Sequence, residues 1–125
     1  MNRSLESFIA VVDDDASLRR SLANLLGSVG LSTRTFASAE QFLTAVASDV
    51  ACVVLDLRLP GMSGLELAHA LRAEWPGLPV LVLSAQSDAS MRRRCLEAGV
   101  AAVLAKPFVP DELVTTLRSV MMRTS

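Results

Sequence analysis

Short apolar runs alternate five times with longer amphipathic stretches, and this alternation constrains the fold more than any other feature. The short runs are Phe8–Val12, Leu31–Phe36, Ala51–Asp56, Val80–Ser84 and Ala101–Ala105. Most are rich in Val, Leu or Ile, as strands buried on both faces are. The second is more polar and alternates, which fits an edge strand.

The intervening stretches carry helical spacing. Leu18, Leu22, Leu25, Leu26 and Val29 share one helical face, with Gly30 as the stop. Ser38 and Gln41 read as a capping box ahead of the stripe Ala39, Phe42, Leu43 and Val46. Leu65, Ala68 and Leu71 mark a third helix, opened by Gly64 and ended before Pro76. Asp88 caps a fourth, with Met91, Cys95 and Ala98 inward and Gly99 as its stop. Pro110 fits the first turn of a fifth, with Leu113, Leu117, Val120 and Met121 on one face. Five strand-then-helix repeats imply an α/β fold with a parallel sheet covered on both faces. Right-handed crossovers then favour a flavodoxin-like (βα)5 three-layer sandwich with strand order 2-1-3-4-5.

The length of 125 residues suits one domain spanning residues 1–125, large enough to fold without disulfides or a structural metal. Hydrophobic residues make up 51%, and 12 Lys+Arg face 13 Asp+Glu for a net charge of -1. That balance excludes a disordered chain and argues against direct nucleic-acid contact. No apolar run approaches the ~18 residues of a membrane span, and the N-terminus lacks a signal-peptide pattern, so a cytoplasmic protein is expected. Cys52 and Cys95 sit in apolar patterns and read as buried free thiols. His69 shares a helical face with Glu66 and Arg72, a surface position, and one histidine cannot anchor zinc. Eleven of the twelve basic residues are Arg, so the sole lysine, Lys106, stands apart.

In such a sheet, ligands bind where the strands end. Strand one ends in Asp13, Asp14 and Asp15, strand three in Asp56, strand four in Ser84, and strand five in Ala105, Lys106 and Pro107. The strand order makes these four ends neighbours, in a row about 14 Å wide at ~4.8 Å per strand. Asp15 reads as a helix cap. The others bring carboxylates, a hydroxyl and an ammonium into one cleft. Carboxylates this close repel unless a cation intervenes. Mg²⁺ (or Mn²⁺) takes one or two carboxylates, keeps waters and accepts phosphate oxygens. Lys106 adds a second positive charge, and Ser84 a hydrogen-bond donor. The set matches a phosphoryl group on a carboxylate, with Asp56, at the centre, as the nucleophile.

These residues resemble the receiver domains of two-component response regulators. The resemblance rests on Val11-Val12-Asp13-Asp14-Asp15, on the segment Leu55-Asp56-Leu57-Arg58-Leu59-Pro60-Gly61-Met62-Ser63-Gly64, on Leu83-Ser84-Ala85, and on Lys106-Pro107-Phe108. It extends from Phe8 to about Met122 and looks most like the FixJ-type subgroup. It implies that Asp56 is the phosphoacceptor. Asp14, Asp56 and the backbone carbonyl of Arg58 would bind the metal directly, with Asp13 acting through water or as a secondary ligand. Lys106 would contact the phosphoryl group across a cis Lys106-Pro107 bond. Ser84 would be the switch hydroxyl, and small Ala85 would leave the site accessible. The phosphoryl donor would be a sensor histidine kinase or phosphotransfer protein.

The chain departs from the family pattern at Val103, where an aromatic or His usually couples the site to the face of the fourth helix, fifth strand and fifth helix. That face is also a possible homodimer surface. Val103 is small and stiff. It could leave space for Ser84 to move while the fourth helix shifts as a unit. On that helix, Arg92, Arg93 and Arg94 form either a solvated face or a docking patch.

The resulting expectation is a phosphorylation-dependent signalling switch rather than a turnover enzyme. An aspartate-based phosphohydrolase is the alternative, yet the acid/base position two residues after Asp56 holds Arg58. A non-phosphorylated pseudo-receiver that only binds a partner is the other. A stand-alone receiver and one excised from a longer, DNA-binding regulator both fit this pattern.

Overall fold

The computed structural model describes residues 7–45, 49–85 and 89–123. The chain runs β1 (Phe8–Val12), α1 (Ala16–Ser28), β2 (Thr33–Phe36), α2 (Ala39–Ala45), β3 (Val50–Asp56), α3 (Gly64–Glu74), β4 (Val80–Ser84), α4 (Ala89–Glu97), β5 (Ala102–Ala105) and α5 (Pro110–Arg123). The five strands are parallel in the order β2-β1-β3-β4-β5. The expected three-layer α/β sandwich is therefore the observed one. Its strands differ from the apolar runs by at most two residues at their starts; β2 begins at Thr33, because its pairing with β1 starts at Thr33 opposite Ile9.

The side-chain period of a strand, two residues, sorts the core into two slabs. Along β1, Phe8, Ala10 and Val12 face one slab, together with Phe42 of α2, Leu67 and Leu71 of α3 and Cys95 of α4. Ile9 and Val11 face the other, with Leu22 and Leu26 of α1 and Leu113, Leu117 and Val120 of α5. Truncating a fully buried member such as Leu26 to Ala is expected to cost about 2–5 kcal/mol. β2 lies at the sheet edge, where the Arg34 guanidinium sits over Phe8 and Phe36, 5.0 Å and 5.6 Å from the ring centres. A charge standing on an edge strand discourages pairing with another chain.

Most helix signals act as read. Asp15 caps α1, its Oδ1 accepting from the amides of Ser17 and Leu18 at 2.9 Å and 3.2 Å. Gly30 and Gly99 take φ of 85° and 93° just past α1 and α4. At α2 the box is shifted: the Gln41 amide donates to Ser38 Oγ at 3.1 Å, but Gln41 Oε1 accepts from Ala37 rather than Ser38. The reciprocal capping box instead stands at α3, between Ser63 and Glu66. Val46, of the expected second-helix stripe, and the cap Asp88 lie outside the described residues. His69 is exposed, and both cysteines are buried and free.

Candidate functional site

The parallel register brings the expected residues to one edge. β1 and β3 run side by side, with Val12 opposite Leu55, so Asp13 and Asp56 lie one residue further along adjacent strands. β4 and β5 pair Ser84 with Ala105, and the Lys106 amide donates to the Ser84 carbonyl at 2.8 Å. The Lys106 side chain reaches back over this edge. Its Nζ stands 3.2 Å from Asp13 Oδ2 and 3.2 Å from Asp56 Oδ2. The Lys106-Pro107 peptide is cis.

Asp13, Asp14 and Asp56 each offer a carboxylate oxygen, and these atoms lie within 4.8 Å of one another. Their burial is graded: Asp13 is buried, Asp56 half-buried and Asp14 exposed. Burial is the main cause that raises the Asp13 carboxyl above its usual range, against the opposing pull of the Asp15 amide and Lys106. Burial also disfavours the charged form of Lys106, but the carboxylates of Asp13 and Asp56 outweigh it and hold the lysine above its ordinary value. The donor set, hard oxygens only and dominated by carboxylate, suits Mg²⁺ or Mn²⁺ and not a soft metal.

Ser84 is 3% exposed at the end of β4, flanked by exposed Ala85. Val103 pairs with Val82 in the sheet and joins the slab that holds Cys95, with Met91 of α4 packed against it. The small residue therefore belongs to the apolar packing beneath α4.

The segment between β3 and α3 borders these carboxylates. The Arg58 amide donates to Asp56 Oδ1 at 3.2 Å, and Gly64 donates to the Leu57 carbonyl at 3.0 Å. Gly64 is there because α3 begins against the backbone: a Cβ would stand 2.2 Å from the Asp56 carbonyl oxygen. Two contacts lie beyond the reach of sequence spacing. Arg19 of α1 donates to the Asp13 carbonyl at 2.7 Å, and Glu40 of α2 accepts from the Met62 amide at 2.8 Å. The i, i+3 spacing of Ser63 and Glu66 was a legible signal for the cap; the Glu40 contact spans 22 positions and had none.

With the fold and this edge in view, the chain belongs to the response regulator receiver domain family, whose pattern matches residues 9–118. It is 40% identical over 112 residues to nodulation protein W of Bradyrhizobium diazoefficiens, covering 89% of this chain and 49% of that protein. The transcriptional regulatory protein FixJ of the same organism is 36% identical over 112 residues, covering 89% of this chain and 55% of FixJ. Among solved structures, the beryllofluoride-activated receiver domain of DrrB, from Thermotoga maritima, superposes with a TM-score of 0.86 at 32% identity, over 94% of this chain and 98% of that one. Full-length FixJ from B. japonicum gives 0.84 at 32% identity, over 96% of this chain and 60% of that one. The chain spans about half the length of the curated relatives it matches. No helix among the described residues is long and apolar enough to cross a membrane.

Proposed function

We propose that residues 1–125 act as one receiver unit in which Asp56 accepts a phosphoryl group from the phosphohistidine of a sensor kinase or phosphotransfer protein. A carboxylate oxygen of Asp56 attacks phosphorus. The P–O bond forms as the P–N bond to the donor histidine breaks, and the electron pair returns to the imidazole, which takes a proton from water. The observation that carries this reading is the Lys106 ammonium 3.2 Å from Asp56 Oδ2, beside two further carboxylates. That ammonium would meet an oxygen of the incoming anion, and its compact charge on a flexible stem can follow the oxygen as charge moves.

Asp14, Asp56 and the Arg58 carbonyl would hold Mg²⁺ or Mn²⁺, with Asp13 acting through water or as a further ligand. The cation would supply charge neutralisation between the carboxylates and the phosphoryl oxygens. Ser84 would donate to a phosphoryl oxygen, and exposed Ala85 leaves room for it. Closure of the site around the bound phosphoryl group would be read at α4, β5 and α5, with Val103 permitting a concerted shift of α4, and homodimerisation through that face is one output. In this reading the domain works in the cytoplasm and makes no nucleic-acid contact itself. The relatives named as transcriptional regulators support a transcriptional output in the whole protein.

The test is incubation with acetyl phosphate and Mg²⁺, followed by intact mass and peptide mapping. One phosphoryl group should accumulate on Asp56 and vanish in Asp56→Asn. Unmodified wild-type protein, or labelling that survives Asp56→Asn, would overturn the reading. Rapid phosphate release without accumulation would mark a phosphohydrolase.

A further inference from the structure

We propose that Glu40 is a positioning residue for the phosphoryl and metal site, acting through the segment between β3 and α3. The inference rests on the reading of Asp56 and the Arg58 carbonyl given above. Glu40 lies in the first turn of α2 and touches none of the carboxylates of the site. Its Oε2 accepts from the Met62 amide at 2.8 Å. The preceding residue meets the same carboxylate. Gly61 adopts φ +71°, and a Cβ built there would stand 2.6 Å from the same Oε2. The Gly61-Met62 peptide is thus seated directly on the Glu40 carboxylate, in a backbone conformation that an L side chain rarely adopts.

The segment's two ends are fixed within its own neighbourhood. Arg58 is tied to Asp56 Oδ1, and Ser63 is locked into the capping box with Glu66. Glu40 ties the stretch between them to α2 on the sheet's flank. A backbone carbonyl has no side chain to adjust, so its direction is set by where the neighbouring peptides are held. Pinning Gly61 and Met62 limits the φ and ψ rotations open to the stretch that follows Arg58. An ionised carboxylate is also a stronger acceptor for that amide than a neutral oxygen. The Met62 amide correspondingly holds Glu40 below its ordinary carboxyl range.

The experiment compares wild type with Glu40→Gln, Glu40→Ala and Glu40→Asp. Calorimetric titration with Mg²⁺ alone is combined with thermal melting and amide exchange at Met62 in metal-free protein. Gln keeps an acceptor of the same reach and should bind Mg²⁺ within about twofold of wild type. Ala removes the acceptor, and Asp keeps the charge but loses the reach. Both should weaken Mg²⁺ about tenfold, the low end for a residue outside the ligand shell, and speed Met62 exchange. Melting temperatures should move little. If Ala does not fold, Asp against Gln still decides. The proposal is overturned if Asp or Ala binds Mg²⁺ like wild type, or if Gln is weakened as much as Ala. Wild-type protein that neither binds Mg²⁺ nor takes up phosphoryl from acetyl phosphate would instead sink the reading of the site itself.

Discussion

Lys106 Nζ stands equally far, 3.2 Å, from Asp13 Oδ2 and Asp56 Oδ2, and so occupies the position of a counter-ion shared by two strand ends. The lysine side chain is 23% exposed and the carboxylates 3% and 13%, so water screens these pairs only in part. Two consequences oppose each other. Without metal, Lys106 offsets the repulsion between carboxylates; with metal, it is a second cation at the same oxygens. Lys106→Met should therefore destabilise the metal-free domain by about 2 kcal/mol, between the ranges for exposed and buried pairs. The same variant should bind Mg²⁺ more tightly, while losing uptake from acetyl phosphate. Urea unfolding with and without Mg²⁺ checks both signs. Weaker Mg²⁺ binding in the variant would contradict the shared-counter-ion argument.

Gly64 makes a sharper steric prediction. Its missing Cβ would lie 2.2 Å from the Asp56 carbonyl oxygen and 2.7 Å from Leu57 Cα, both backbone atoms that cannot rotate aside. Gly64→Ala must move the start of α3 away from the end of β3. The expected loss is about 3 kcal/mol, the upper part of the overpacking range. Chemical shifts should change along residues 56–66. Unfolding curves that match wild type would show that the helix start yields freely.

How much of this was legible beforehand follows from the range of each interaction. The ends of β1, β3 and β4 could be read because each apolar run stops at a polar residue, and the sheet order then aligned Asp13, Asp56 and Ser84 without further information. Leu67 was not singled out, although it is fully buried. The stripe of Leu65, Ala68 and Leu71 placed the helix correctly, but the exact face depends on how α3 leans on the sheet. Gly64 could be read as a helix start, whereas its reason, contact with the Asp56 carbonyl, is tertiary. Glu40 could not be read at all: its spacing to Met62 depends on where the sheet places α2 and the segment between β3 and α3.

Glu40 also gives a pH signature. Its pKa lies below the usual 4.5 because the charged form accepts from the Met62 amide. A lowered folded-state pKa means the contact contributes above pH 4.5 and is lost as pH falls through the folded value, which lies below 4.5. The Met62 amide shift should thus titrate with a midpoint under 4.5, and the Glu40→Gln protein should show no such step. A midpoint at or above that value would mean the hydrogen bond is not populated in solution.

The last prediction concerns Cys52, buried in the middle of β3 within the slab against α1 and α5. Burial pushes its thiol from 9.0 up to about 12. The neutral thiol is the form the fold accepts. The unfolded chain, by contrast, ionises near 9.0. The sign follows: stability linked to Cys52 is intact below pH 9.0 and falls as pH rises toward about 12. The slope is about 1.4 kcal/mol per pH unit. Cys52→Ala should be less stable than wild type at pH 8, through the lost sulfur contacts, and the gap should close as pH rises. In native protein at pH 8, a thiol reagent should label Cys52 only as fast as the domain opens, since the thiolate attacks and none is exposed. Cys95, on the buried face of α4, is also raised by burial, and its ionisation should likewise oppose folding at alkaline pH. Parallel pH profiles for wild type and Cys52→Ala, or prompt labelling of Cys52 in the native state, would show that β3 is accessible to solvent on a fast timescale.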